Sequence, residues 1–205
     1  MRLTLTSRRR RPIDRSIPHL RDTKLVVIAT EGDTEAQYFE MFSRLSSRVQ
    51  VIPLPSKDGL SAPRHVLARM RDFRRANDLR GEDSLCLVID RDRWPEEQLA
   101  EVATHCCQLS ILLAVSCPCF EVWLYLHHAD PPQDMADMTG QEVKQALRQL
   151  LGQYNETNLR WDDFEPHVAQ AVGRAKALDV DKEARWPCGL GTRAYRVVEL
   201  IVELA

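Results

Sequence analysis

The feature that most restricts this chain is the segment Lys24–Thr30, KLVVIAT, with five apolar residues in succession. An antiparallel strand with one wet face alternates apolar and polar residues. A run apolar at every position reads as a parallel strand covered on both faces. Ser84–Ile89 (SLCLVI) repeats the pattern, and Val49–Leu54 and Leu109–Val115 read as two further strands. Helix-like periods separate them. Ala36, Phe39, Met41, Phe42 and Leu45 keep one, with Asp33 or Thr34 available as its cap. Residues 58–77 form a basic one with Val66, Leu67, Met70 and Phe73 on one side, and Glu96–Cys107 a third. After Ser116 the pattern is helical throughout: Phe120–His127, Gly140–Tyr154, Asp162–Leu178 and Thr192–Leu204. The order βαβαβαβ followed by helices predicts an α/β fold: a compact parallel four-stranded sheet flanked by helices, with a mostly helical C-terminal part. The expected divisions are a basic arm over 1–23, an α/β domain over 24–128 and a helical part over 129–205.

Charge sharpens the picture. The whole chain carries 28 Lys+Arg against 30 Asp+Glu, a net of −2. Residues 1–24 hold eight basic and two acidic residues, so the remainder is markedly acidic. A basic arm before an acidic body can attract a polyanion while leaving carboxylates free for metal; a plain solvated arm is the alternative. Arg8, Arg9, Arg10 and Arg11 are its densest part. No apolar run approaches the ~18 residues of a membrane helix, and the N-terminus lacks the apolar stretch of a secretory signal. Cys86, Cys106, Cys107, Cys117, Cys119 and Cys188 fit no secreted disulfide framework. A cytoplasmic protein that does not enter a membrane is expected.

Two of the expected strands end in acid: Glu31 after the first, Asp90 and Asp92 after the third. Open parallel sheets bind ligands outside the carboxyl ends of their strands. Residues i and i+2 of an extended segment point to one side, so Asp90 and Asp92 can share a site. Three converging carboxylates without a cation repel one another and take up protons. Magnesium or manganese resolves that conflict with all-oxygen ligation. Gly32 lets the backbone turn tightly beside a phosphate. Acids at strand ends also serve as caps or solvated loop residues, and DxD alone is weak. The pairing of Glu-Gly after one strand with Asp-x-Asp after another is what raises the signal.

These residues resemble the Toprim domain of topoisomerases, primases and old-type nucleases. More specifically, the chain looks like an RloB-like protein, a prokaryotic family found near restriction and phage-defence genes. The resemblance rests on Arg8–Arg11, Thr30-Glu31-Gly32-Asp33-Thr34-Glu35 with Tyr38-Phe39, Val88-Ile89-Asp90-Arg91-Asp92, Ser116-Cys117-Pro118-Cys119-Phe120-Glu121-Val122-Trp123 and Gly191–Val197. Cys117 departs from it, where Asn is expected. The resemblance implies a magnesium-dependent nuclease, an effector of anti-phage defence, working beside an ABC- or old-type ATPase. It adds Glu35, one helical turn after Glu31, and Glu121 to the metal ligands. A later lysine would offset charge on the phosphate; Lys176 is the first choice and Lys182 the second. One metal would then sit on Glu31, Asp90 and Glu121, the other on Asp92 and Glu35. Arg91 and Arg93 flank the acids, either as contacts to a nucleic-acid backbone or as plain surface charges.

Weaker signals point elsewhere. Cys117 and Cys119 followed by His127 and His128 lack zinc-finger spacing, with Pro118 expected to start a helix between them. Ser116, His105 and Asp90 lack the G-x-S-x-G turn of a hydrolase. A non-catalytic module that binds nucleic acid or a partner protein is the competing function, and an enzyme acting on another phosphate ester a third. The apolar stripe Val197, Val198, Ile201 and Val202 suits a homo-oligomer interface as well as a core.

Overall fold

The computed structural model describes residues 23–44, 46–56, 59–91, 93–152 and 154–205. The expected arm, including Arg8 to Arg11, lies outside the described residues, as does Asp92.

Four strands form the predicted parallel sheet: β1 (Lys24–Thr30), β2 (Val49–Leu54), β3 (Ser84–Asp90) and β4 (Leu112–Cys117). A fifth, β5 (Gly191–Thr192), pairs antiparallel with β4 through Ser116 and Cys117. Two residues carry no readable periodicity, so β5 was not foreseen. The order is β2-β1-β3-β4-β5. The chain leaves β1 for one side, returns across it to β3, and continues outward. That reversal makes a topological switch point between β1 and β3, where the crossovers part and leave a crevice at the carboxyl ends.

Both faces of the sheet are covered, which explains the uninterrupted apolar runs. Leu25, Val27 and Ala29 of β1 face one way, with Leu85, Leu87 and Ile89 of β3. They meet α2 (Pro63–Ala76) through Val66, Leu67 and Met70, and α3 (Glu96–Gln108) through Leu99, Val102 and Cys106. Val26, Ile28, Cys86 and Val88 face the other way. There they meet α1 (Asp33–Glu40), α4 (Glu121–His128), α5 (Gly140–Leu151), α7 (Val168–Leu178) and α8 (Ala194–Leu204). The C-terminal helices therefore share one apolar core with the sheet. Trp123 is fully buried at its centre beside Tyr38, whose hydroxyl bonds His127 Nε2 at 3.0 Å. Burial drives the His127 pKa down to about 3, so its imidazole is neutral.

Several local expectations are corrected. Gly32, rather than Asp33 or Thr34, is the N-cap of α1. The expected helix 162–178 divides into α6 (Trp161–Phe164), a 3₁₀ turn (Glu165–His167) and α7, because Pro166 cannot donate within a helix. Pro118 does not begin a helix: Cys117–Pro118 is a cis peptide and α4 starts at Glu121. None of the six cysteines forms a disulfide. Among the described residues no helix is long and apolar enough to cross a membrane.

Candidate functional site at the switch point

The register of β1 and β3 brings the first acid to the switch point. Thr30 pairs with Val88, and the Glu31 amide donates to the Val88 carbonyl at 3.2 Å. The Glu31 side chain, 5% exposed, is fixed at both oxygens. Oε2 accepts from the Asp90 amide at 3.1 Å and Oε1 from Trp94 Nε1 at 3.0 Å. Glu31 thus joins the ends of the two central strands. On the neighbouring side Arg69 donates to the Thr30 carbonyl at 2.5 Å. Burial lowers the Arg69 pKa, and the charge of Glu31 opposes that shift.

Glu35 lies in the first turn of α1, buried at 4% exposure. Its pKa is pushed up to about 7 by burial first, with the charges of Glu121 and Glu31 adding to it. Gly32 matters here through space. Its backbone is extended (φ −127°, ψ −177°), a conformation open to any residue. A Cβ at position 32, however, would lie 2.8 Å from Glu35 Oε2. What limits position 32 is therefore the close approach of a carboxylate oxygen, which a larger residue would have to displace, and not a tight turn.

Glu121, 2% exposed, opens α4. Lys144 of α5 reaches its Oε1 at 3.4 Å and Glu156 Oε2 at 3.9 Å. Burial first, then the charges of Glu121 and Asp90, push the Cys119 thiol up. Glu35 thus feels the charges of Glu31 and Glu121, and Cys119 those of Glu121 and Asp90. Sequence reasoning did not find Lys144. Its signal was local only: α5 opens with a capping box between Thr139 and Glu142, which sets the phase of the helix.

Other expected residues fall elsewhere. Lys176 pairs with Glu199 at 2.5 Å and lies over the Tyr195 ring, whereas Lys144 is brought to one of the acids, Glu121. Lys182 is exposed. Ser116 is fully buried and bonds Thr192 Oγ1 at 2.8 Å, which latches β5 to β4. Arg91 Nη1 donates to the Pro187 and Cys188 carbonyls, each at 3.2 Å. It therefore holds the loop before β5, while Arg93 is exposed. That loop is also clamped by a buried ion pair, Arg193 to Asp179 at 2.9 Å, with Tyr195 donating to Asp179 at 2.8 Å. A cavity of about 590 Å³ in the helical part is lined by His128, Tyr154, Arg160, Asp162, Asp163 and His167 and includes none of Glu31, Glu35, Asp90 and Glu121.

The donor chemistry can be tested against a divalent cation. Four carboxylates, all oxygen donors, suit magnesium or manganese. Burial first, and the charges of Glu121 and Glu31 after it, make an ionised Glu35 costly, a cost that a cation would offset. Among the described residues, no three His, Cys, Asp or Glu side chains form a group that could hold a metal ion. Magnesium does not need such a cage: it is commonly held by one or two carboxylates, water and substrate phosphate. The residues offer oxygen donors and negative charge of the kind such an ion takes, without forming a ready cage among the described residues.

No curated protein and no solved structure matches the chain significantly. One family does: RloB-like protein, over residues 26–201. That span runs from β1 through nearly all of α8 and takes in every described residue of the acidic site, so the chain belongs to the RloB-like protein family.

Proposed function

We propose that the chain is a divalent-metal-dependent nuclease of the Toprim type, with its site at the switch point between β1 and β3. The observation that carries this reading is the buried set Glu31, Glu35 and Glu121 beside Asp90, in which Glu35 is pushed up to about 7. A buried acidic cluster costs stability, and structural need alone gives no reason to build one at the ligand-binding edge of a parallel sheet. Glu31, Asp90, Glu35 and Glu121 would hold magnesium or manganese, with Asp92 as the further expected ligand. A divalent ion held there would supply a lowered pKa for bound water and charge to offset that on a phosphodiester.

The chain's own residues supply the rest. Trp94 and the Asp90 amide fix the orientation of Glu31. Lys144 places a positive charge beside Glu121, where it can also balance charge developing on a phosphate. The anti-phage setting and an ABC- or old-type ATPase partner are part of the same proposal. The competing reading, a non-catalytic module, draws its support from the lack of a ready three-acid group among the described residues.

The test is cleavage of plasmid DNA and of total tRNA with magnesium or manganese, with and without EDTA. Wild type is compared with Asp90→Asn and Glu31→Gln. Metal-dependent cutting that falls about 100-fold or more in both variants is expected, the size of losing a group that acts on the reacting centre. Cutting that survives EDTA or both substitutions would sink the proposal. Well-folded wild type that binds nucleic acid and metal yet never cuts would favour the binding module.

A further inference from the structure

Helix α2 carries five arginines, Arg64, Arg69, Arg71, Arg74 and Arg75, and a single acid, Asp72. Two of the five are used within the fold. Arg69 donates to the Leu60 carbonyl at 2.7 Å and to Thr30 at 2.5 Å, and Arg74 to the Leu109 carbonyl at 3.3 Å. The other three are arranged differently. At 3.6 residues per turn, positions seven and eleven after Arg64 return to within about 20° of it, so Arg64, Arg71 and Arg75 form one row about 16 Å long. Arg64 and Arg75 are exposed and Arg71 half-buried. Arg75 pairs with Asp72 on the open surface, an interaction of little strength. No ion pair with a described residue involves Arg64 or Arg71.

This row lies on a chain whose net charge is −2, and it begins at the edge where the acids sit. The helix follows β2 and so starts at the carboxyl edge of the parallel strands; Arg69, about 140° round it from the row, is bonded to Thr30, the residue before Glu31. A surface helix that only needed solvation would intersperse Glu or Asp one turn from its arginines. Here one acid serves five arginines. Guanidinium groups match phosphate oxygens bidentately. Each strand of a duplex presents one charge per ~3.4 Å of axis, so the row spans roughly four or five phosphates.

We propose that the Arg64–Arg71–Arg75 row of α2 is a phosphodiester-backbone track that leads a nucleic-acid strand to the switch-point acids. The identity of the partner rests on the nuclease reading; the surface itself does not require cleavage.

The test measures binding of the full chain to labelled duplex DNA, duplex RNA and single-stranded RNA, in EDTA so that no cutting occurs. Affinity is followed between about 50 and 200 mM salt. Variant R64Q/R71Q/R75Q is compared with wild type and with R44Q/R48Q, which removes two exposed arginines before β2. The slope of log K against log salt should fall by about 2.7 on a duplex, or about 2 on a single strand, for three lost phosphate contacts. The arm that shows the full change identifies the form of nucleic acid bound. R44Q/R48Q should leave the slope unchanged. An unaltered slope in the triple variant, an equal fall per arginine in the control, or no salt-dependent binding by wild type would overturn the proposal. Row-dependent binding without metal-dependent cutting would remove the nuclease reading and leave the track. Cutting with an unchanged slope would do the reverse.

Discussion

Replacing Glu35 by Gln tests the energetic core of the site without any assumption about catalysis. Glu35 has an ordinary pKa of 4.5 and is pushed up to about 7 in the folded chain, chiefly by burial. Between those values the folded state holds a proton that the unfolded state has released. Stability must then fall as pH rises from 4.5 to 7, and this contribution is constant above that window. At 1.36 kcal/mol for each pH unit between the two values, the loss is about 3 kcal/mol. Glutamine keeps the shape and cannot ionise, so Glu35→Gln escapes the loss. Urea unfolding of both proteins in EDTA, from pH 4.5 to 8, is the assay. The variant should gain about 3 kcal/mol on wild type across that range, most of it between pH 5 and 7. Magnesium added at pH 8 should then stabilise wild type more than the variant. Parallel stability curves would refute the argument, because Glu35 would then be ionised as easily inside the fold as outside it.

Other perturbations bear on the same architecture. Gly32→Ala would place a methyl group 2.8 Å from Glu35 Oε2; the carboxylate must move, so metal-dependent activity should drop about tenfold or more while thermal stability changes by about 1 kcal/mol. Lys144→Met should cut activity, measured as initial rate of cleavage, by about 100-fold, whereas Lys176→Met should leave it within about twofold, since its partners are Glu199 and Tyr195. The reverse ranking would restore Lys176 to the site. Arg193→Ala strands a buried Asp179, whose pKa is held low by Arg193 and Tyr195 against the effect of burial. It should cost about 3 to 5 kcal/mol in chemical unfolding, and a loss below about 1 kcal/mol would show that the clamp is incidental.

The parts of the fold that could be read in advance are those written in local periodicity. Residues 25–29 and 85–89 are apolar at every position because both faces of the sheet are covered, and Glu31 meets the end of β3 because those strands are neighbours. What escaped was contact between distant segments. Lys144 meets Glu121 across 23 residues, and β5 meets β4 only through two pairs. Neither leaves a repeat in the sequence. Arg91 illustrates a different difficulty. Its place beside Asp90 suggested a substrate contact, yet its guanidinium is directed to carbonyls 96 and 97 residues later. Gly32 is expected from the sequence to turn tightly beside a phosphate, yet its backbone is extended, and the Glu35 oxygen that crowds it is visible only in three dimensions.

The bond from Trp94 to Glu31 has an optical consequence. Of the chain's four tryptophans, Trp123 is sealed in the core, Trp161 packs on Phe42, Trp186 is buried, and Trp94 donates to Glu31 of the site. The excited state of an indole is sensitive to the charge at its N–H acceptor. A chain in which the other three are phenylalanine would therefore report the electrical state of Glu31 as a colour change in its emission. Ligand arrival at the crevice could then be followed in real time, without a label and without turnover.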